Sequence, residues 1–450
     1  MTEPQSHEVI PSAKRLMKSL RDVGYDFSSA VADIVDNSIE AGATKIEINV
    51  EFHGDKSFVT IADNGRGMTP EQIIEAMRFG SDRDYSKEDL GKFGLGLKTS
   101  SLSQCRFFAV ASRTAKQDKA EAYCWDMDYV EKTDKWHVLS LEDKTWAPVV
   151  YDPLKKNTGT VVLWWKVDRM LGYEHPYGEH ANKKLISMCR DLEEHLAMVF
   201  HRFLTGRVLG RETVRMSING NPIKSWDPFV RYEAKTLVLP PIKLAIEHEG
   251  TKGEVLIEPY VLPSQQEFST IEKFDSAAGP ANWNQQQGFY IYRAGRMIQS
   301  GGWCRLRTPD EHTKLARIAL SFSPDLDDAL KLNVAKRQVQ LPAEYRDAID
   351  KIIQPIVKIA RERYDRKDRR DSHASGGNLQ WPRIDTSDPS QLALQLEKQP
   401  FKRIVPDDAP PQVWTLDEVE QKALSVAKPH EKSIIENVFE RLRKKLWGQL

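Results

Sequence analysis

The chain has 450 residues, 40% of them hydrophobic, with Lys plus Arg and Asp plus Glu equal at 65 each. That length supplies apolar material for two or three ordinary domains, and the charge balance excludes a global field that would advertise a nucleic acid or an anionic membrane, leaving only local basic patches. The cysteines Cys105, Cys124, Cys189 and Cys304 lie far apart without a C-x-x-C pair, which disfavours a zinc site and a disulfide framework; with no apolar h-region at the start and no run of ~18 apolar residues, a cytoplasmic protein that avoids membranes is expected.

In chain order, the first strong pattern is VADIVDNSIEAGA, Val31 to Ala43. Phe27, Ala30, Val31, Ile34 and Val35 recur at the spacing of one apolar helix face. Asp33, Asp36, Asn37 and Glu40 recur at the same spacing on a second face, ~120° round the cylinder. Alone, such a helix reads as amphipathic with a solvated side. Next, Ile46, Ile48, Val50 and Phe52 alternate as in a half-buried strand, and SFVTIADNGRGM reads as its antiparallel return. Thr69-Pro70 starts a helix, Thr as N-cap and Pro pre-organised at the first position, with Ile73, Ile74 and Met77 as its apolar positions. Strands are expected at CRFFAVAS, EAYCWDM and TGTVVLWWKV, and a long helix over 183–204. A second strand-rich unit follows, from VRMSINGNPI through KGEVLIEPYVLP, GFYIYRAGRMI and LARIALSF to LNVAKRQVQLP, with Asn219-Gly220 as its strongest hairpin turn. Helix returns near Ala343 and runs into a Gly, Ser and charge-rich linker.

Two loops carry candidate chemistry. Asp63-Asn64-Gly65-Arg66-Gly67 places a carboxylate at a strand end ahead of two glycines, a pattern that alone is more often a turn than a site. As a site, the Asp would accept a hydrogen bond from a purine's exocyclic amine while the glycines let the backbone close over the base; a desolvated charged acceptor contributes roughly 1.5–3 kcal/mol. The stretch Gly91-Lys92-Phe93-Gly94-Leu95-Gly96-Leu97-Lys98-Thr99 puts three glycines before a helix start, where backbone N–H groups and the helix dipole attract a phosphate. Lys98 and Thr99 would add a cation and a hydroxyl. It lacks the spacing of a P-loop, and no βαβ unit frames it as a dinucleotide fold. A metal–triphosphate needs oxygen ligands and a carboxylate to activate water, which Asn37 and Asp33, one turn apart, would supply; the polar stripe of the first helix then faces a nucleotide rather than bulk water.

The helix with Asp33 and Asn37, then Asp63-x-Gly65-x-Gly67, then Gly91-x-x-Gly94-x-Gly96, with Gly159-Thr160 further on, resembles the GHKL ATPases in order and spacing. That superfamily holds gyrase B, the heat-shock chaperones, the histidine kinases and MutL. The resemblance implies an α+β fold, a Bergerat-type sandwich of mixed sheet covered by helices. It implies ATP and Mg²⁺ as cofactors. It makes Asp33 catalytic and Asn37 the metal ligand, and assigns ATP contacts to Asn37, Asp63, Gly65, Gly67, Met68, Gly91, Lys92, Phe93, Gly94, Leu95, Gly96, Leu97, Lys98, Thr99 and Thr160, the Thr160 hydroxyl supporting Asp63. GFYIYRAGRMI followed by LKLNVAKRQVQLP resembles the S5-like transducer domain that accompanies the ATPase in gyrase B, MutL and MORC proteins, where a lysine reaches the γ-phosphate; here that position is Lys336. The likeness spans roughly 20–345 and is nearest to MORC- and MutL-like prokaryotic ATPases. In one departure, Asp33 stands where the family usually has Glu. A displacement near 1 Å costs on the order of 100-fold in rate, so slow hydrolysis is expected.

The expected organisation is an N-terminal segment (1–25), the ATPase domain (26–205), the transducer with its closing helix (206–365), a linker (366–395) and a short helical tail (396–450). The expected function is a nucleotide-gated clamp or switch, an ATP-dependent homodimer acting in DNA transactions, antiphage defence or restriction, with DNA and a separate nuclease or other effector protein as candidate partners. The alternatives are a nucleotide-binding scaffold without significant hydrolysis and a chaperone-like remodeller. A histidine kinase needs a phosphoacceptor helix ahead of the domain, and only His7 precedes it.

Overall fold

Alternation of apolar and polar residues in Lys45–Glu51 makes strand β1, which buries Ile46, Ile48 and Val50 and pairs antiparallel with β2, Phe58–Asp63. The computed structural model describes residues 9–22, 24–80, 96–141, 146–172, 177–248, 251–327, 329–330, 341, 343–366 and a short strand pair, 383–384 with 394–395. Strands β3 (Phe107–Arg113), β4 (Glu121–Asp126), β5 (Leu139–Ser140), β6 (Gly159–Trp165), β7 (Arg215–Ile218) and β8 (Asn221–Pro222) complete an eight-stranded sheet in the order β5-β4-β3-β6-β2-β1-β7-β8. All its pairings are antiparallel except β1 with β7.

Both faces of this sheet are covered, which is why β3 and β6 read as continuous apolar runs rather than alternating ones. Phe108, Val110, Val162 and Trp164 pack on one face in the core shared with the helices. Phe107, Ala109, Ala111, Val161 and Leu163 turn to a second core with Trp146, Val150 and Leu154. The helices on the first face are α1 (Ala13–Arg21), α2 (Phe27–Glu40), α3 (Pro70–Met77) and α4 (Gly96–Gln104), followed later by the long helix Glu179–Val199. In α2 the expected apolar face, Phe27, Ala30, Val31, Ile34 and Val35, is buried. The Asp26 carboxylate caps its first turn from Ser29 N at 2.8 Å. Thr69 and Gln72 close a reciprocal capping box on α3. Ile73 and Met77 of α3 are fully buried, but Ile74 is 40% exposed: one helical turn presents only the i, i+4 pair to the sheet, and Ile74 falls on its flank.

The second sheet is built from β9 (Leu237–Val238), β10 (Ile242–His248), β11 (Thr251–Val261), β12 (Gly288–Arg293), β13 (Arg296–Ser300) and β14 (Ala316–Phe322), with core order β10-β11-β14-β12-β13 and β9 on β11. β12 and β14 run parallel; the other pairs are antiparallel. A helix from Ala343 to Asp365 follows, as the sequence predicts. VRMSINGNPI, expected in the second unit, instead extends the first sheet, because β7 finds its ladder on the open edge of β1, Lys45 opposite Arg215 through Ile48 opposite Ile218. Its turn is the hairpin expected, Asn219 and Gly220 both at positive φ (47° and 79°). Both sheets lie in one compact unit. Among the described residues no helix is long and apolar enough to cross a membrane.

Candidate nucleotide-binding site

Asp63 ends β2, and the antiparallel register sets it opposite Thr160 of β6. Three donors converge on its carboxylate: Gly65 N at 2.9 Å and Thr160 N at 3.3 Å on Oδ1, and the Ser38 hydroxyl of α2 at 2.9 Å on Oδ2. Burial pushes the carboxyl above its usual range and outweighs these hydrogen bonds, which pull it down. The site is therefore a fixed, poorly solvated acceptor, the property required to bind a purine amine.

The glycines around it are required by backbone proximity. Gly67 has φ +71°, and a Cβ there would lie 2.0 Å from the carbonyl oxygen of Arg113; Gly159 has φ +140°, and its Cβ would lie 1.9 Å from that of Asp63. The 63–67 loop is moored to the C-terminus of α2 by Arg66 N on the Ala41 carbonyl at 3.0 Å and to the start of β1 by Asn64, whose Oδ1 accepts from Thr44 N and Lys45 N at 2.9 and 2.8 Å. Met68 N donates to Ser112 Oγ at 2.8 Å, and that hydroxyl donates to the Gly159 carbonyl at 2.8 Å. Ser112 thus ties the loop to β6. The Thr160 hydroxyl lies 2.9 Å from Ser112, so Thr160 reaches Asp63 through its backbone N–H, not through the expected side chain.

On α2, Asp33 is 6% exposed and Asn37 open to solvent. A Cβ on Gly96 would stand 3.7 Å from Asp33 Oδ2, so the start of α4 meets the acidic face of α2. The structure thereby brings Asp63, Gly65, Gly67 and Thr160 together where the end of β2 meets β6, ties Met68 to them through Ser112, and sets Gly96 at the start of α4 against Asp33 of α2, one turn before the exposed Asn37. It does not turn all four polar residues of α2 the same way. Asp36 is 1% exposed and accepts from Arg296 Nε at 2.8 Å. Lys98 departs from the expected phosphate contact as well: its ammonium donates to the Ala76 and Arg78 carbonyls at 2.9 and 2.7 Å, at the C-terminal end of α3, and burial lowers it to about 8. Thr99 is buried, and Leu97 is half-buried. Gly91, Lys92, Phe93, Gly94, Leu95 and Lys336 lie outside the described residues. Sequence reasoning missed Ser38, Ser112 and Arg296. Ser38, next to Asn37 in the polar stripe of α2, was the one among them with a local signal.

A partly buried acceptor under a glycine turn, with an acidic helix and a glycine-led helix start beside it, is an arrangement that fits a nucleotide-binding α+β domain. Residues 25–160 match the histidine kinase-, DNA gyrase B-, and HSP90-like ATPase family, and this segment is a GHKL ATPase domain with the fold expected of it. The chain is 34% identical over 111 residues to the DNA mismatch repair protein MutL of Shewanella sp. (strain MR-4), covering 23% of this chain and 17% of that protein. It is 36% identical over 113 residues to MutL of Salmonella arizonae, covering 23% and 18%, and 34% over 119 residues to MutL of Baumannia cicadellinicola, covering 25% and 19%. The matched stretch is thus under a fifth of these relatives' length. A solved structure described as the N-terminal domain of a DNA repair protein aligns over 80% of this chain and 99% of that one, at 17% identity and a TM-score of 0.43.

Proposed function

We propose that this protein binds ATP with Mg²⁺, hydrolyses it slowly, and uses the cycle as a dimeric clamp in DNA transactions. The observation that carries this is Asp63, a partly buried carboxylate held by three donors where the ATPase family reads adenine. Asn37, exposed on the same helix as Asp33, suits a single amide ligand to an ion that takes its other oxygens from phosphates and water. Among the described residues no cluster of three or more His, Cys, Asp or Glu forms a metal site by itself. Asp33 is the group placed to orient water and take its proton as that oxygen attacks the terminal phosphorus and ADP leaves.

The MutL relatives support a role in DNA maintenance, with DNA and a separate nuclease or other effector as partners; silencing, restriction and antiphage defence are the MORC-like forms of it. The short Asp33 side chain favours a second reading, a nucleotide-bound scaffold without significant hydrolysis. ATP turnover with and without DNA separates the two. Asp33→Ala should keep ATP affinity and lose turnover by roughly 10²–10⁴-fold. A wild-type protein that binds ATP and never turns it over would establish the scaffold, and one that binds no ATP would end both readings.

A further inference from the structure

Arg296 is carried by the second sheet, but its charge meets α2, the acidic helix packed on the first sheet. It opens β13, and its guanidinium, 7% exposed, lies with Nε 2.8 Å from Asp36 Oδ1 and Nη2 3.7 Å from Asp33 Oδ1. The ring of Phe200 closes its other side, 5.8 Å from ring centre to guanidinium carbon. At 3.7 Å the Asp33 contact is electrostatic rather than hydrogen-bonded, while the Asp36 contact is a short charge-assisted bond.

The hairpin behind Arg296 has little freedom to aim it elsewhere. Ala294 and Gly295 have φ of 47° and 85°, the two positive values of a tight two-residue turn. A Cβ on Gly295 would come within 2.7 Å of Val208. On the far side of the turn Arg293 grips Asp327 through Nε and Nη2 at 2.7 and 2.8 Å, both side chains 3% exposed. Asp327 lies nine residues before Lys336 in the chain.

We propose that Arg296 is a positioning residue for hydrolysis: anchored by Asp36, it sets the orientation of the Asp33 carboxylate, so that turnover depends on how the Arg293–Arg296 hairpin of the second sheet sits on α2. Asp36 then serves the hairpin and not the nucleotide. The inference rests on the reading of Asp33 as the water-activating group.

The test measures kcat and, separately, the ATP dissociation constant by calorimetry, on the full chain. Arg296→Gln should lower kcat about 10- to 100-fold, the scale of a roughly 1 Å misplacement, with ATP affinity held within about threefold. Arg296→Lys keeps the charge without the planar fork and should fall between Gln and wild type. Asp36→Asn should lower kcat in the same direction, and the double variant Asp36→Asn/Arg296→Gln should lose no more than Arg296→Gln alone, because both act through one contact. Wild-type turnover with an unaltered Arg296→Gln variant overturns the inference and leaves the ATPase reading standing. Parallel loss of turnover and ATP affinity overturns it as well, assigning Arg296 to the fold. If Arg296→Gln gives no cooperative melt, Asp36→Asn decides, and an unchanged kcat there is fatal to the proposal. A wild type without turnover removes the hydrolysis reading and this inference together.

Discussion

Asp63 combines good hydrogen bonding with unfavourable solvation. Its carboxyl sits above the ordinary range because burial outweighs the donors Gly65, Ser38 and Thr160 and the nearby charge of Arg66. An acid whose folded pKa is raised gives its full share of stability below its unfolded value, and that share is lost as pH rises through the folded one. Ionised Asp63 is therefore a liability to the nucleotide-free fold at neutral pH. In Asp63→Asn the amide oxygen still accepts from Gly65 N and Thr160 N, and the charge is gone. Its melting temperature at pH 7 should equal or exceed that of wild type, while ATP affinity falls about 10- to 100-fold, the size of one desolvated charged acceptor. A melting temperature several degrees lower would show that Asp63 holds the loop together rather than waiting for a base. Asp33 with Asn37, and Asp63 with its glycines, stand out in the sequence because each is a short local run. Ser112 and Arg296 were not, since a β-ladder and a distant hairpin bring them in.

At the scale of elements, α4 shows how proximity in sequence misleads. Lys98 follows the glycine stretch and so reads as a phosphate cation, but one step into a helix rotates a side chain by about 100°, and Lys98 points to the carbonyls that close α3. A lysine whose folded pKa is lowered to about 8 from 10.5 binds fewer protons folded than unfolded between those values, so its contribution makes stability rise with pH over that window. Lys98→Met should flatten that rise in thermal melts taken from pH 7.5 to 10, and should leave ATP affinity within about threefold. A drop of tenfold or more would return Lys98 to the phosphates. The strand pattern was legible wherever alternation or a continuous apolar run marked it. The partner of β7 was not, because any open strand edge offers the same backbone groups.

For the whole molecule, the γ-phosphate distinguishes ATP from ADP, and a lysine on the second unit that touches it would tie that unit's orientation to nucleotide state. The lysine expected to do so, Lys336, and the polar loop Gly80–Leu90, expected to order over ATP as a lid, lie outside the described residues, Gly80 excepted; the Arg296 contact shows that the second sheet already engages the acidic helix. A ligand shifts such an equilibrium only through differential affinity for its two forms. A non-hydrolysable ATP analogue should produce a closed dimer joined near the N-terminal segment, ADP should not, and Lys336→Ala should bind nucleotide and stay open. Scattering envelopes and cross-linking near residue 10 provide the measurement. Identical results without nucleotide, with ADP and with the analogue would exclude the switch.

The pairing of β1 with β7 sets a schedule for synthesis. The Asn219 amide extends that ladder by one more rung, accepting from Val50 N at 2.7 Å and donating to the Val50 carbonyl at 3.1 Å across 169 residues of chain. At ribosomal speeds this separation amounts to on the order of ten to thirty seconds. Throughout that interval β1 stands with one flank unpaired and its own apolar side chains, Ile46, Ile48 and Val50, spaced along it. The nascent chain is thus most exposed to sticking to its neighbours before the hairpin at 219–220 arrives, and holdase chaperones would act on β1 in that window.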